Sequence, residues 1–539
     1  MIISSPVNRL ARRAWSGGHY RALAVVTRLK FPPQPLPPDA PVVMFVSRLA
    51  RDVESVSPIT NMTAAAAKHM QLAQGFKPVF YLLQDEQFDR SILPHMGFES
   101  IIRASTIPVE PLSSTQEQWL DKTAALNAAA LNACYIDETI PIGRLALASA
   151  RNLVRKSRLE TAEDRAVLRQ MLAEGLRQLA IARRLLDEVG PAYIVFDHNT
   201  YIDHGGILFH LAVQRGVPTS AWHPYGFDKI MARLFTRATV FEYTFSLDEA
   251  DWAQLKARNE IEGLVELGKD YVTQRLQGNL PHVSYQPRIG LKYQGAVVSI
   301  DRWFSESKPL IGVFTHLPWD ASGSFYEDLF PNLADWVEFV AHLALETPAY
   351  NWVFRIHPAE HVRGSAEDTE ALIRRIIPED TPHVHVIPAD SSISSYALAE
   401  YMTAATTVRG TLAAEFTVMD VPVVCAGTGP ATVAGVGLHP SDIDSYRSAL
   451  INADQLPPPT REEKDNAYLF MYWYFVIVGY PLTSLRHFAS LRELWRLNKA
   501  RIIADEGLRQ FTALVTASDQ QAARDLRVGN TVDMKHVTT

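Results

Sequence analysis

Cysteine is nearly absent. Among 539 residues only Cys134 and Cys425 carry thiols, too few for a disulfide framework or a four-thiolate zinc site, and the count suits a reducing compartment. Long apolar runs are also missing. The longest candidate, 468–480 (YLFMYWYFVIVGY), falls short of the roughly 20 residues that span a bilayer and is rich in aromatics, so a buried helix is expected. The first residues lack the apolar core and small-residue cleavage site of a signal peptide, which makes a cytosolic protein the expectation. Charge of one sign is scarce as well. A formal net charge of −7 over this length gives no field for general nucleic-acid binding. No P-loop, no GxGxxG opening a helix, no HExxH and no GxSxG elbow occurs, so the chemistries that depend on those motifs lack their parts.

What is present describes a globular chain. Hydrophobic residues make up 47% and charged residues 21%, and the length predicts two large domains or three modest ones. Residues 1–30 carry Arg9, Arg12, Arg13, Arg21, Arg28 and Lys30 with no acidic residue; such an arm either lies on an anionic membrane surface or packs as a solvated extension. The segment 31–39 (FPPQPLPPD) holds five prolines in nine residues and reads as a semi-rigid connector. The expected division is 1–38 for arm and linker, 39–290 and 291–480 for two folded domains, and 481–539 for C-terminal helices and a polar tail that frays after Ala522.

Strand-like runs alternate with helix-like periods from Val42 onwards. Strands are expected at 42–46, 79–83, 193–196 and 217–222, with helices around 60–73, 161–189 and 207–214. A second series places strands at 310–314, 352–356, 383–387, 406–408 and 421–425, and helices at 333–345, 369–377, 393–401 and 412–419. Short strands separated by helices of ten to fifteen residues are the signature of a doubly wound parallel sheet. The predicted fold is therefore α/β, with two Rossmann-like domains facing a cleft and a helical C-terminal extension.

Ligands of such sheets bind where loops leave the carboxyl ends of the strands, so polar residues there are candidates. In the first half, Asp197-His198-Asn199-Thr200-Tyr201-Ile202-Asp203-His204 follows a strand and is dense in groups that move protons; its residues are either catalytic or loop-capping. The loop 223–226 follows the next strand and adds His223. In the second half, His316 with Trp319 and Asp320 follows the first strand, and His357 follows the second, where Pro358 ends the strand. Asp390-Ser391-Ser392-Ile393-Ser394-Ser395 is expected to open a helix with a cluster of hydroxyls, as phosphate ligands or as caps. In Arg409-Gly410-Thr411, the glycine permits close approach of backbone to a ligand and Thr411 suits an N-cap; Glu415 lies one helical turn on and suits a ribose diol. Asp442-Ile443-Asp444 superficially matches a metal-binding DxD but sits at a predicted helix start.

Three of these segments carry a resemblance. Thr315–Ser322 (THLPWDAS), Phe354–Glu360 (FRIHPAE) and Arg409–Val424 (RGTLAAEFTVMDVPVV) resemble the nucleotide-binding domain of two-Rossmann-domain (GT-B) glycosyltransferases of the bacterial capsule-polysaccharide type, which includes the octulosonic-acid (Kdo) transferases. Related His-Pro motifs occur in bacterial sialyltransferases, which use cytidine-monophosphate sugars. The resemblance implies that His357 contacts the donor phosphate, that Ser394, Ser395 and Thr411 support it, and that Glu415 holds the ribose. His316, Arg355 and Arg409 complete the expected donor set. The first half resembles the family through VFDHNTYIDHGG and a following VPT strand, which points to Asp197, His198, Asp203 and His223 as the catalytic set.

The implied activity is metal-independent transfer of a sugar, with a CMP-sugar favoured, to a surface or capsular glycan or glycolipid. No cofactor is expected beyond the nucleotide-sugar cosubstrate, and no nucleic-acid partner. Two alternatives stay open: a teichoic-acid-type transferase of nucleotide-linked polyol phosphates, and a non-catalytic glycan-binding or export scaffold. The expected location is the cytoplasm, with the basic arm as a contact to the inner face of the membrane.

Overall fold

The computed structural model describes every residue except 1–24, 49–52, 85–92, 198–200, 226–228, 245, 278–299, 305, 321–327, 486–494 and 530–539. Two sheets organise the chain. The first comprises β1 (Val42–Arg48), β2 (Lys77–Gln84), β3 (Ser100–Arg103), β4 (Tyr193–Phe196), β5 (Thr219–Tyr225), β6 (Lys229–Phe235) and β12 (Tyr480–Pro481), in the order β12-β6-β5-β4-β1-β2-β3. Strands β1 to β5 pair in parallel, and β6 is antiparallel to both its neighbours. The second comprises β7 (Leu310–Phe314), β8 (Asn351–Arg355), β9 (Val384–Ile387), β10 (Ala404–Thr407) and β11 (Val423–Cys425), all parallel, in the order β11-β10-β7-β8-β9.

Both sheets share one winding. Each starts at its centre, adds two strands on one side and then crosses back to the other side of the first strand, which is the Rossmann-like order 3-2-1-4-5. The α/β class with two such units is as expected. The apolar residues explain it: β7 and β8 are buried along their whole length, as a sheet covered by helices on both faces requires.

The helices begin and end where local chemistry dictates. The helix Ala162–Val189 opens on a capping box between Thr161 and Asp164 and stops at Gly190, whose φ of 55° lies in the left-handed region. It covers one face of the first sheet together with Ile142–Val154 and Gly206–Gln214. The other face is covered by Val53–Gln74 and, from the far end of the chain, by Glu506–Val515, whose Leu508, Phe511 and Leu514 are fully buried. The first domain's core is therefore closed by the C-terminal segment. The run 468–480 is buried, as expected, in the helix Arg461–Tyr472 and a π-helical turn at Trp473–Ile477.

Three local expectations are corrected. Residues 223–225 form no loop; β5 continues through them because β6 supplies antiparallel partners as far as Tyr225↔Lys229. The helix expected at 393–401 is a 3₁₀ segment, Tyr396–Tyr401, with no side-chain cap at Ser395, so no α-helix dipole stands behind the serines. The fraying expected after Ala522 does not begin there among the described residues: the helix Gln520–Val528 continues because Arg527, 5% exposed, reaches the buried Asp251 at 2.8 Å.

Of the N-terminal arm, residues 1–24 lie outside the described residues; 25–30 are helical and Lys30 Nζ donates to the Trp495 carbonyl. The boundary expected at 290/291 also falls outside them. Among the described residues no helix is long and apolar enough to cross a membrane.

Candidate active site

A doubly wound sheet opens a crevice between its first and fourth strands, where the chain reverses its winding direction. In the first sheet that point lies between β1 and β4. Ser47 near the end of β1 donates to Asp197 Oδ2, just after β4, at 2.6 Å, and both residues are buried. In the second sheet the point lies between β7 and β10. His316, just after β7, places Nε2 3.0 Å from Thr407 Oγ1 on β10 and 3.4 Å from the Arg409 amide beyond it. Each switch point is thus bridged by a residue that the sequence singled out.

His357 joins His316 from the next strand. Their rings lie nearly parallel, 17° apart with centroids 6.5 Å apart. His357 is the N-cap residue of the Pro358–Arg363 helix: its Nδ1 accepts from the Ala359 amide at 3.1 Å, and its own amide donates to Thr315 Oγ1 at 3.0 Å. An Nδ1 that accepts fixes the neutral ring as the tautomer with its proton on Nε2. Gly410 has φ 114°, and a Cβ there would lie 3.6 Å from His316 Cε1, so the sharp turn after β10 brings bare backbone beside the imidazole. A shallow recess lined by Arg409, Gly410, Gly429, Thr432 and His439 adjoins it.

Glu415 is not a solvated helix carboxylate. It is 6% exposed, Arg275 Nη2 stands 3.2 Å from its Oε1, and Thr411 Oγ1 donates to the same oxygen at 3.2 Å. Thr411 occupies the N-cap position of Leu412–Thr417 without capping it, because its hydroxyl turns to Glu415. Arg275, from the helix Ile261–Leu276, also lies 4.0 Å from the Phe475 ring centroid. Arg409 stands 3.4 Å from Asp328 in a second buried pair.

Other expected donor residues turn elsewhere. Arg355 is 4% exposed and spends its guanidinium on carbonyls, Nη1 on Ile356 and Pro388 and Nη2 on Ser391. Burial brings its pKa down to about 10, with Asp390 opposing the shift. It pins the 388–391 turn. Ser394 and Ser395 are both buried, and Ser394 Oγ accepts from the Tyr396 amide at 3.2 Å. Glu360 of the same motif accepts from the Thr369 amide and hydroxyl, which secures the next helix. Asp442 caps Ile443–Ile451 through a capping box with Ser445.

The first domain meets the second next to this cluster. Tyr201 is buried and its OH accepts from Asn152 Nδ2 at 3.3 Å. Its phenol is pushed up first by burial and then by the negative charge of Asp320, with Arg363 acting the other way; Asp320 lies in the loop after β7 and Arg363 ends the Pro358–Arg363 helix, both in the second domain. Beside them the Arg155 guanidinium stacks over Trp319 at 4.0 Å, and the Trp319 indole N–H donates to the Gly364 carbonyl. The Ala366 amide donates to the Arg155 carbonyl, the Ser157 amide to Glu367, and Arg158 clamps Asp335 and Glu338 at 2.5–2.9 Å. Through Asn152 and residues 155–158 these contacts tie Tyr201 of the first domain to Trp319 and residues 364–367 of the second. Asp203 has a side chain 34% exposed, 3.8 Å from His204. His223 is half-buried within β5, opposite Met231. His198 lies outside the described residues.

Sequence reasoning missed Thr315, Thr407, Arg275 and Asp328, and named Tyr201 only as part of the 197–204 run. The threonines sit at strand ends, a position that signals them. Arg275 lies 140 residues from Glu415 on an ordinary amphipathic helix, and nothing local marks it.

No family model matches the sequence, and no curated protein matches it. Solved structures resemble it at low similarity. The UDP co-structure of MnaA from S. aureus is 9% identical, with a TM-score of 0.28, over 79% of this chain and 91% of that one. UDP-GlcNAc 2-epimerase from Neisseria meningitidis, bound to UDP-GlcNAc, is 10% identical, with a TM-score of 0.28, over 79% and 97%. KpsC of Thermosulfurimonas dismutans, a β Kdo 2,7 transferase, is 12% identical, with a TM-score of 0.31, over 53% and 79%.

Proposed function

We propose that this protein is a glycosyltransferase that moves a sugar from a nucleotide donor, held by the second domain, to a glycan acceptor held by the first. The observation that carries the reading is the pairing of switch points: Ser47–Asp197 at one and His316–Thr407–Arg409 at the other, with Asp320 of the second domain near enough to Tyr201 of the first for its charge to raise the phenol. Donor diphosphates and monophosphates are met by N–H groups in such a place. Here the His357 Nε2–H would donate to the phosphate oxygens and Arg409 would add charge. Glu415 would accept from the ribose hydroxyls. A cytidine nucleotide is favoured by the resemblance of FRIHPAE and RGTLAAEF.

Asp203 is the base in this reading, because its side chain is the more open of the two carboxylates, while Asp197 is engaged by Ser47. The acceptor hydroxyl oxygen attacks the anomeric carbon as its proton passes to Asp203. The bond from that carbon to the phosphate oxygen breaks, and the nucleotide leaves with the electron pair. Positioning and preorganised donors supply the rate. Calorimetric titration with CMP, CDP, UDP and GDP tests the reading: at least one should bind, and weaken on His357→Ala. Binding of none would overturn it. Mass analysis of the product separates sugar transfer from transfer of a polyol phosphate.

A further inference from the structure

We infer that a groove on the first domain is the acceptor site, and that its occupant is an electrically neutral, hydroxyl-rich glycan chain; this deepens the glycosyltransferase reading and rests on it. The groove has a volume of about 890 Å³, towards the upper end of small-molecule sites. One wall is a face of the Ala162–Val189 helix, on which Gln170, Glu174, Arg177, Gln178 and Arg184 follow at helical spacing. From 170 to 184, a rise of 1.5 Å per residue gives a wall about 21 Å long. The other wall is the segment 107–112 (IPVEPL), aliphatic but for Glu110. Gln84 at the end of β2 and Asp203 also line it, so the groove reaches the carboxylate proposed as base.

Charge decides the class of ligand. Among the described residues two cations line the groove, and both are committed. Arg177 donates through Nε and Nη2 to the two oxygens of Glu174 at 2.7 and 2.6 Å, and Arg184 donates to Glu188 at 2.6 Å. Glu110 and Asp203 add negative charge. A chain carrying phosphates or carboxylates would meet like charge, with no uncommitted cation among the described lining residues to neutralise it.

Hydrogen bonding decides the rest. Gln178 lines the groove, is 6% exposed, donates through Nε2 to Glu174 at 2.9 Å, and has no partner for Oε1 among the described residues. A buried amide oxygen without a donor is costly. Its terminal torsion is soft, so a modest rotation offers it to a ligand hydroxyl. Gln84 and Gln170 present further amides, and the aliphatic wall suits the C–H faces of sugar rings. A lipid tail would leave Gln178 unsatisfied.

The test uses the purified full chain on immobilised oligosaccharides, neutral members beside sialylated, uronic and phosphorylated ones, for wild type and Ala180→Trp. Ala180 is exposed and lines the groove, so an indole there fills the space without entering the core, and an unchanged melting temperature verifies this. Wild type should retain neutral members, the variant should lose about tenfold or more in affinity, and both should bind nucleotide alike. Preference for acidic members, retention by Ala180→Trp equal to wild type, or retention of no neutral member would overturn the inference. Nucleotide titration separates the two levels: with nucleotide bound, such a result removes the groove alone, whereas a wild type that binds no nucleotide removes the transferase reading.

Discussion

The pair between Arg275 and Glu415 makes the sharpest prediction, because structure and proposed function ask different things of the same carboxylate. The side chains are 5% and 8% exposed, and their charged atoms stand 3.2 Å apart. Removing one partner strands the other charge in the interior, which costs about 3–5 kcal/mol, while replacing both with apolar groups of similar volume is close to neutral. Arg275→Met keeps an apolar stem against the Phe475 ring and leaves Glu415 uncompensated. Glu415→Leu strands the guanidinium. Each single variant should therefore lower the melting temperature by about 6–20 °C, taking about 2–4 °C per kcal/mol for a domain of this size. The double variant should return to within about 1 kcal/mol of wild type, giving a coupling of about 5 kcal/mol or more. Nucleotide affinity should not return with stability. A ribose that loses a charged acceptor forfeits about 1.5–3 kcal/mol, or ten- to a hundredfold in Kd. The cycle is read by thermal melts and calorimetric titration. Singles no less stable than the double would refute the buried-pair argument. A stable double variant that binds nucleotide like wild type would leave Glu415 a purely structural residue.

Three further predictions follow from other parts of the molecule. His357→Ala should lower turnover on the order of a hundredfold, the cost of one preorganised donor to a developing charge, and the lost cap on the Ala359 amide should cost stability only about 0.5–2 kcal/mol; near-normal turnover removes His357 from the site. Asp251 is 1% exposed; burial alone would raise its carboxyl, but Arg527 and Arg233 outweigh that and hold it below the usual range. A depressed carboxyl contributes stability that is present above its unfolded pKa of about 3.9 and lost as pH falls towards its folded value, so Asp251→Asn should flatten acid denaturation below about pH 4; an unchanged acid limb contradicts the assignment. In Gly507→Ala the new Cβ would lie 2.2 Å from the Pro481 carbonyl oxygen, and because a backbone atom must give way, a loss of about 1–3 kcal/mol in urea denaturation is expected; a neutral variant would show that the contact between the Glu506–Val515 helix and β12 is loose.

What could be read from the sequence follows the range of the forces involved. The helix Ala162–Val189 was legible at both ends because its signals are local: a Thr161–Asp164 box at one and Gly190 at the other. The strand ends carrying Asp197, His316 and His357 were legible because β-propensity, burial and an abrupt change to polar residues coincide there. The 3₁₀ segment at 396–401 was misread as an α-helix because its apolar spacing fits either, and the three-residue pitch is settled by neighbours. Continuation of β5 through His223 depended on β6, a strand whose pairing no local pattern announces. Arg355 shows the limit most clearly. An arginine beside a His-Pro turn reads as a phosphate ligand, yet three carbonyls from 356, 388 and 391 surround its guanidinium. Those carbonyls come from backbone that any side chains could have built, so its use as a brace for the turn carries no sequence signature. The same holds for Glu415, where the residue type was visible and the partner, 140 residues away, was not. Residue chemistry at strand ends can be read in advance, whereas the direction each charge finally faces is set by tertiary contacts formed across the whole chain.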